Sequence, residues 1–110
     1  MKEIKAIIQP FQTSRVVDAL RAMEGLPGIT VSEVKGFGRN RARNAQEKVV
    51  EDFIEYAKKT KLEIVVPDEL VVSVVETIQT SAHTGRPGDG LIFISAIDEV
   101  VRIRSGESQK

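Results

Sequence analysis

A chain of 110 residues supports one domain with one core, and 41% hydrophobic with 29% charged residues makes it an ordinary globular chain, not a disordered one. Its 16 Lys and Arg balance 16 Asp and Glu, which argues against a dedicated nucleic-acid binder. With no cysteine there is no disulfide, iron–sulfur cluster or thiol nucleophile, and a single histidine, His83, excludes a His-rich zinc site within one chain. No apolar run nears the roughly 18 residues of a membrane span, and the charge-punctuated start Met1–Lys5 is no signal peptide. The expectation is a cytoplasmic protein without membrane insertion.

In chain order, residues 2–9 alternate loosely and turn apolar at Ala6-Ile7-Ile8, which predicts a strand ended by Pro10. Thr13 or Ser14 is a candidate N-cap for a helix with the stripe Val16, Val17, Leu20 and Met23, stopped by Gly25 and Pro27-Gly28. Ile29 to Val34 reads as a second strand running into Gly36-Phe37-Gly38. A solvated loop follows from Arg39 to about Lys48, with Arg39, Arg41 and Arg43 at every second position. Val49, Val50, Phe53, Ile54 and Ala57 then match a helical period, although the valines and the isoleucine also favour extended chain.

Lys61 to Val66 is a third strand, closed by Pro67-Asp68. It leads to a second helix that buries Leu70, Val71, Val74, Val75, Ile78 and Ala82. After a glycine-rich loop come a fourth strand, Leu91 to Ala96, a short one at Val100 to Ile103, and a loose polar tail, 105–110. The order is that of an α+β, ferredoxin-like βαββαβ sandwich spanning residues 1–110 as one domain. Two helices then cover one sheet face. An apolar bare face on the other side predicts a partner or an oligomer.

The glycine-rich loop is Thr84-Gly85-Arg86-Pro87-Gly88-Asp89-Gly90. Such a loop lets backbone N–H groups point at anionic oxygens, so it reads as a phosphate cradle or as an ordinary turn. Arg102 and Arg104 are two apart, so on a strand they point the same way. They read as a phosphate clamp or as a solvated pair meeting Asp98 or Glu99. His83, just before the loop, reads as a capping or surface histidine.

Several stretches in the right order resemble the P-II nitrogen-regulatory signalling family. Ala6-Ile7-Ile8-Gln9-Pro10-Phe11 is similar to its first strand. Val31-Ser32-Glu33-Val34-Lys35-Gly36-Phe37-Gly38-Arg39 is similar to its second strand and the start of its T-loop, here about 38–58. Leu62 to Asp68 resembles the strand leaving that loop, Thr84 to Gly90 its B-loop (about 83–91), and Val101 to Glu107 its C-terminal segment. The resemblance implies a homotrimer with sheets facing inward. It implies clefts between neighbouring subunits that bind ATP or ADP, with magnesium and 2-oxoglutarate as further effectors. It also implies a T-loop that docks on a target such as a transporter or a biosynthetic enzyme.

Carried over by resemblance, Arg102 and Arg104 become the phosphate clamp and Arg39 a third cation. Gly88, Asp89 and Gly90 become the backbone cradle, and Ile7, Thr30 and Val65 the adenine slot. Gly36, Phe37, Gly38 and Thr84 complete the nucleotide contacts. Lys59 and Asn40 stand where 2-oxoglutarate and magnesium would be met, although Lys59 is equally one lysine of an ordinary basic run.

The departures matter. The family's lysine after Gly-Asp-Gly is Leu91 here, a loss of roughly 1.5–3 kcal/mol for a charged hydrogen bond, which shifts selectivity from ATP towards ADP or AMP. Asn40 replaces a glutamine and is one methylene shorter, which puts 2-oxoglutarate synergy in doubt. Asp52 falls where some members carry a uridylylated tyrosine, and Tyr56 aligns elsewhere, so no uridylylation is expected. Lys48-Val49-Val50-Glu51-Asp52 replaces the family's loop signature, as in a divergent branch whose targets differ.

The leading expectation is a non-enzymatic regulator. The alternative is a small phosphate-ester or acyl-phosphate enzyme using Arg39-Asn40, for which no activated nucleophile or general base is evident. An RNA-binding module on this topology would need exposed strand aromatics, and aromatics are 5% of the chain.

Overall fold

The computed structural model describes residues 1–36, 48–51 and 54–109. Strand β1 (Lys2–Ile8) leads through a 3-10 turn at Pro10–Gln12 into helix α1 (Thr13–Arg21) and then β2 (Thr30–Gly36). Strands β3 (Lys48–Glu51) and β4 (Ile54–Val66) precede a second 3-10 turn, Asp68–Leu70, and helix α2 (Val71–Ala82). Strand β5 (Gly90–Ala96) and the short pair β6 (Val100–Val101) and β7 (Ser108–Gln109) complete the chain.

The main sheet runs β2-β4-β1-β5, with every neighbouring pair antiparallel. This is the expected α+β arrangement of two helices and a four-stranded antiparallel sheet. The register sets the core. Ile4 pairs with Ile64 and Ala6 with Leu62, so these residues share one face. That face, with Ile8 and Val66, closes on Val16 and Leu20 of α1 and on Val74 and Ile78 of α2. The alternating strand pattern and the two helical stripes therefore meet in one apolar layer.

The cap expectation fails at α1. Gln12 occupies the N-cap position without a side-chain bond. Thr13 instead donates its hydroxyl to the buried Thr60 hydroxyl at 2.8 Å, which ties the start of α1 to β4. A neutral hydrogen bond sheltered from water outcompetes a solvent-exposed cap.

The expected helix over residues 49–57 is not formed. Lys48–Glu51 pairs with β4 in a hairpin, Lys48 opposite Ala57 and Glu51 opposite Ile54. Strand β4 thus begins at Ile54 rather than Lys61, and residues 48–51 and 54–58 of the expected loop are ladder. Ala57 also pairs with Gly36 of β2, so β3 lies on the β4 edge that β1 uses further along. The β-branched Val49, Val50 and Ile54 suit extended chain, and β4 offers an edge to pair with, so the competing propensity wins. The loop expectation for 39–47 lies outside the described residues.

The uncovered face is less apolar than expected. Opposite positions across the ladder put Lys5, Lys61 and Glu63 near its centre, with Lys61 and Glu63 3.6 Å apart. The exposed apolar residues Leu91 and Phe93 sit at the β5 edge of this face.

The C-terminal segment also departs from expectation. Only Val100–Val101 is strand before the chain turns, and Ser108–Gln109 returns to pair with it. The Arg102 N–H donates to the Glu107 carbonyl at 2.9 Å and the Gly106 N–H to the Arg102 carbonyl at 2.8 Å. The tail expected to be loose is therefore folded back through Gln109, because these bonds and the β6–β7 pairs satisfy its backbone groups.

Truncating the core layer should cost far more than truncating the outer helix surface. Leu20→Ala is expected to lose about 2–5 kcal/mol, whereas Val72→Ala, at a position 67% exposed, should stay within about 0.5 kcal/mol of wild type. Urea unfolding of the two variants checks this.

Candidate functional site

The glycine loop is wound around its own aspartate. The Asp89 carboxylate accepts the N–H groups of Thr84 at 2.8 Å and Gly85 at 2.9 Å, and also the Thr84 hydroxyl. The Thr84 oxygen in turn accepts the Arg86 N–H at 3.1 Å. Partial burial works to raise the Asp89 pKa, but the bonds from Thr84 and Gly85 and the neighbouring His83 outweigh it and hold the carboxyl below its ordinary 3.8. His83 Nδ1 lies 3.7 Å from Asp89 on an exposed side chain, as a surface histidine. Asp89, expected in the cradle through its backbone, thus has a second role through its side chain: it closes the loop.

Gly90 makes that closure possible. Its φ of +121° suits glycine. A Cβ there would stand 1.8 Å from the Ile7 carbonyl oxygen. The loop can therefore enter β5 beside Ile8 only because position 90 lacks a side chain.

The loop is fastened to the sheet through one carbonyl. Gln9 Nε2 donates to the Gly88 oxygen at 2.8 Å, and Lys59 Nζ reaches the same oxygen at 3.4 Å. Burial pushes the half-buried Lys59 ammonium below its ordinary pKa. No carboxylate among the described residues pairs with it. Gln9 escaped the sequence reading, since a glutamine at a strand end beside Pro10 carries no signal by itself. Among the described residues, the loop N–H groups that bond within the loop are those of Thr84, Gly85 and Arg86.

The site residues expected from the sequence fall into two groups. Ile7, Gly36, Lys59, Thr84, Gly88, Asp89 and Gly90 gather at the sheet end where Ile8 pairs with Gly90 and Thr60. Thr30 and Val65 lie towards the opposite end, where Val65 pairs with Glu3 and Thr30 with Glu63. Ile7, Thr30 and Val65 share the uncovered face but form no slot within one chain. Ile7 is opposite Lys61, so Val65 is four residues further along β4, roughly 13 Å at about 3.4 Å per residue. Thr30 lies two strands from β1, roughly 10 Å away.

Arg102 and Arg104 occupy the turn between β6 and β7, so the argument from strand alternation lapses. Both are exposed, and neither pairs with Asp98 or Glu99 among the described residues. They follow the far end of β5. That strand carries the chain six residues away from Gly90, roughly 20 Å at about 3.4 Å per residue. Their hairpin forms a separate two-stranded sheet. Phe37, Gly38, Arg39 and Asn40 lie outside the described residues. Among the described residues no group of three or more His, Asp or Glu is placed to hold a metal ion.

Two substitutions test this construction. Gly90→Ala should destabilise the fold by about 3 kcal/mol or more, the upper range for forced overpacking, read as a lowered denaturation midpoint. Asp89→Asn should cost about 1 kcal/mol at neutral pH by weakening charged hydrogen bonds at a partly exposed site. Because the folded pKa of Asp89 lies below 3.8, the difference between wild type and variant should be full above that pH and shrink as pH falls through the folded value.

Comparison with known proteins covers nearly the whole chain. The family model for nitrogen regulatory protein P-II matches residues 1–107. The nitrogen regulatory protein P-II of Azospirillum brasilense is 48% identical over 107 residues, covering 97% of this chain and 95% of that protein. The P-II protein of Bradyrhizobium diazoefficiens is 47% identical over 108 residues, 98% of this chain and 96% of its own length. Nitrogen regulatory protein P-II 1 of Escherichia coli is 47% identical over 107 residues, 97% and 95% of the two chains. With nearly half of its residues identical across almost its full length, and a sheet and helices in the matching order, this chain belongs to the nitrogen regulatory protein P-II family.

Proposed function

We propose that this regulator of nitrogen control works as a homotrimer. It binds ATP or ADP, and AMP as a weaker candidate, in clefts between subunits. It acts without catalysis, by presenting residues of about 38–58 to a transporter or metabolic enzyme. The observation that carries this reading is the division of anion-binding groups between opposite ends of one chain. The loop amides and Lys59 lie at one end of β5, and Arg102 and Arg104 follow the other. In this reading an adjacent protomer supplies the second set, so that a single polyphosphate meets both.

The chemistry suits such a ligand. The N–H groups of Gly88 and Asp89 can donate to phosphoryl oxygens, and exposed guanidiniums neutralise their charge bidentately. Ile7 and Val65, half-buried on the uncovered face, offer apolar surface to a base once two protomers bring them together. Leu91 supplies no cation beside the loop, so the γ-phosphate gains less here than a lysine would give it.

Light scattering should give the mass of three chains. Calorimetric titration should give binding of ATP and ADP with little added affinity from magnesium and 2-oxoglutarate. A monomer that binds no adenine nucleotide would overturn the reading. Arg102→Gln should weaken ADP about 10- to 100-fold, the loss of a charged hydrogen bond, while leaving the trimer mass unchanged. Sustained phosphate release from nucleotide or acyl phosphate would favour the enzyme alternative.

A further inference from the structure

The Gly88 carbonyl receives two side chains from distant parts of the sequence, Gln9 at the end of β1 and Lys59 in β4. The peptide between Gly88 and Asp89 is trans, as are all others in the described chain. In a trans peptide the C=O and N–H point in opposite directions. Fixing the Gly88 oxygen inward therefore aims the Asp89 N–H outward.

The next residue is held as well. The Asp89 side chain is tied back to Thr84 and Gly85, and Gly90 enters the ladder opposite Ile8. The peptide plane is thus set from both flanks. A cation on its oxygen also polarises it, so its N–H becomes a stronger donor.

We propose that Gln9 is a positioning residue for anion binding: with Lys59 it locks the Gly88–Asp89 peptide so that its N–H faces the phosphate. The inference rests on the nucleotide reading above and deepens it. Gln9 touches no phosphate itself. Its contribution is to remove the alternative orientation in which the carbonyl oxygen would face and repel the anion. Gly88 has a φ of +92°, and a glycine restricts its own ψ least of all residues, so this peptide can turn unless something holds it.

The test compares wild type with Gln9→Met, which keeps length and loses the donor, and Gln9→Lys, which keeps a donor. Titration with ADP should show Gln9→Met weakened roughly three- to tenfold, the usual range for one neutral hydrogen bond. Its affinity for adenosine and its melting temperature should stay near wild type, and Gln9→Lys should recover most of the ADP affinity. The proposal is overturned if wild type binds ADP and Gln9→Met binds it equally well. It is also overturned if Gln9→Met loses adenosine and ADP in equal measure along with thermal stability, since Gln9 would then only support the fold. Failure of wild type to bind ADP at all would remove the functional reading, and this inference with it.

Discussion

The antiparallel contact between β1 and β5 at Ile7, Ile8 and Gly90 governs the rest of the molecule. β1 is paired on both sides along its length, and its Ile4, Ala6 and Ile8 are among the most deeply buried side chains. The Ile7 carbonyl fills the space where a side chain at position 90 would go. The glycine loop therefore inherits its position from the core. Any force that shifts the apolar layer under β1 also shifts the loop, and any side chain at position 90 pushes back on the core.

That coupling explains why so few bonds define the loop. Asp89 gathers the amides at the start of the loop, and Gln9 and Lys59 hold its middle carbonyl. Each bond is modest on its own. Together they tie the loop both to itself and to the sheet. A loop held this way loses less conformational freedom in any further contact than a loose one would.

The uncovered sheet face adds a second constraint. Its centre carries the Lys61–Glu63 pair, and Ser32 holds a buried hydroxyl that finds no partner among the described residues. Leu91 and Phe93 lie exposed at its rim. Apolar contact alone would not cover such a surface, because its charges and hydroxyl need polar partners when desolvated. Whatever covers this face must supply both kinds of contact.

Much of this was legible in the residues. The stripes Val16/Leu20 and Val74/Ile78 and the alternation in β1 have a single period each, so local pattern and final burial agree. Residues 49–57 fit both a helical period and a β-branched composition, and only the presence of the β4 edge decided between them. The turn through Arg102 and Arg104 depends on backbone hydrogen bonds from Arg102 N–H to Glu107 and from Gly106 N–H to Arg102, which no side-chain pattern announces. By itself, the sequence determined the core layer, the two helices and the glycine loop, because these follow from periodicity and from residues with restricted backbone, while the family resemblance rested on whole motifs in order. The tertiary structure alone decided that Gln9 meets Gly88 and that the glycine loop and the arginine turn flank opposite ends of β5. Those facts depend on strand register, which brings residues 79 positions apart into contact and is set by the packing of the whole sheet rather than by any local stretch.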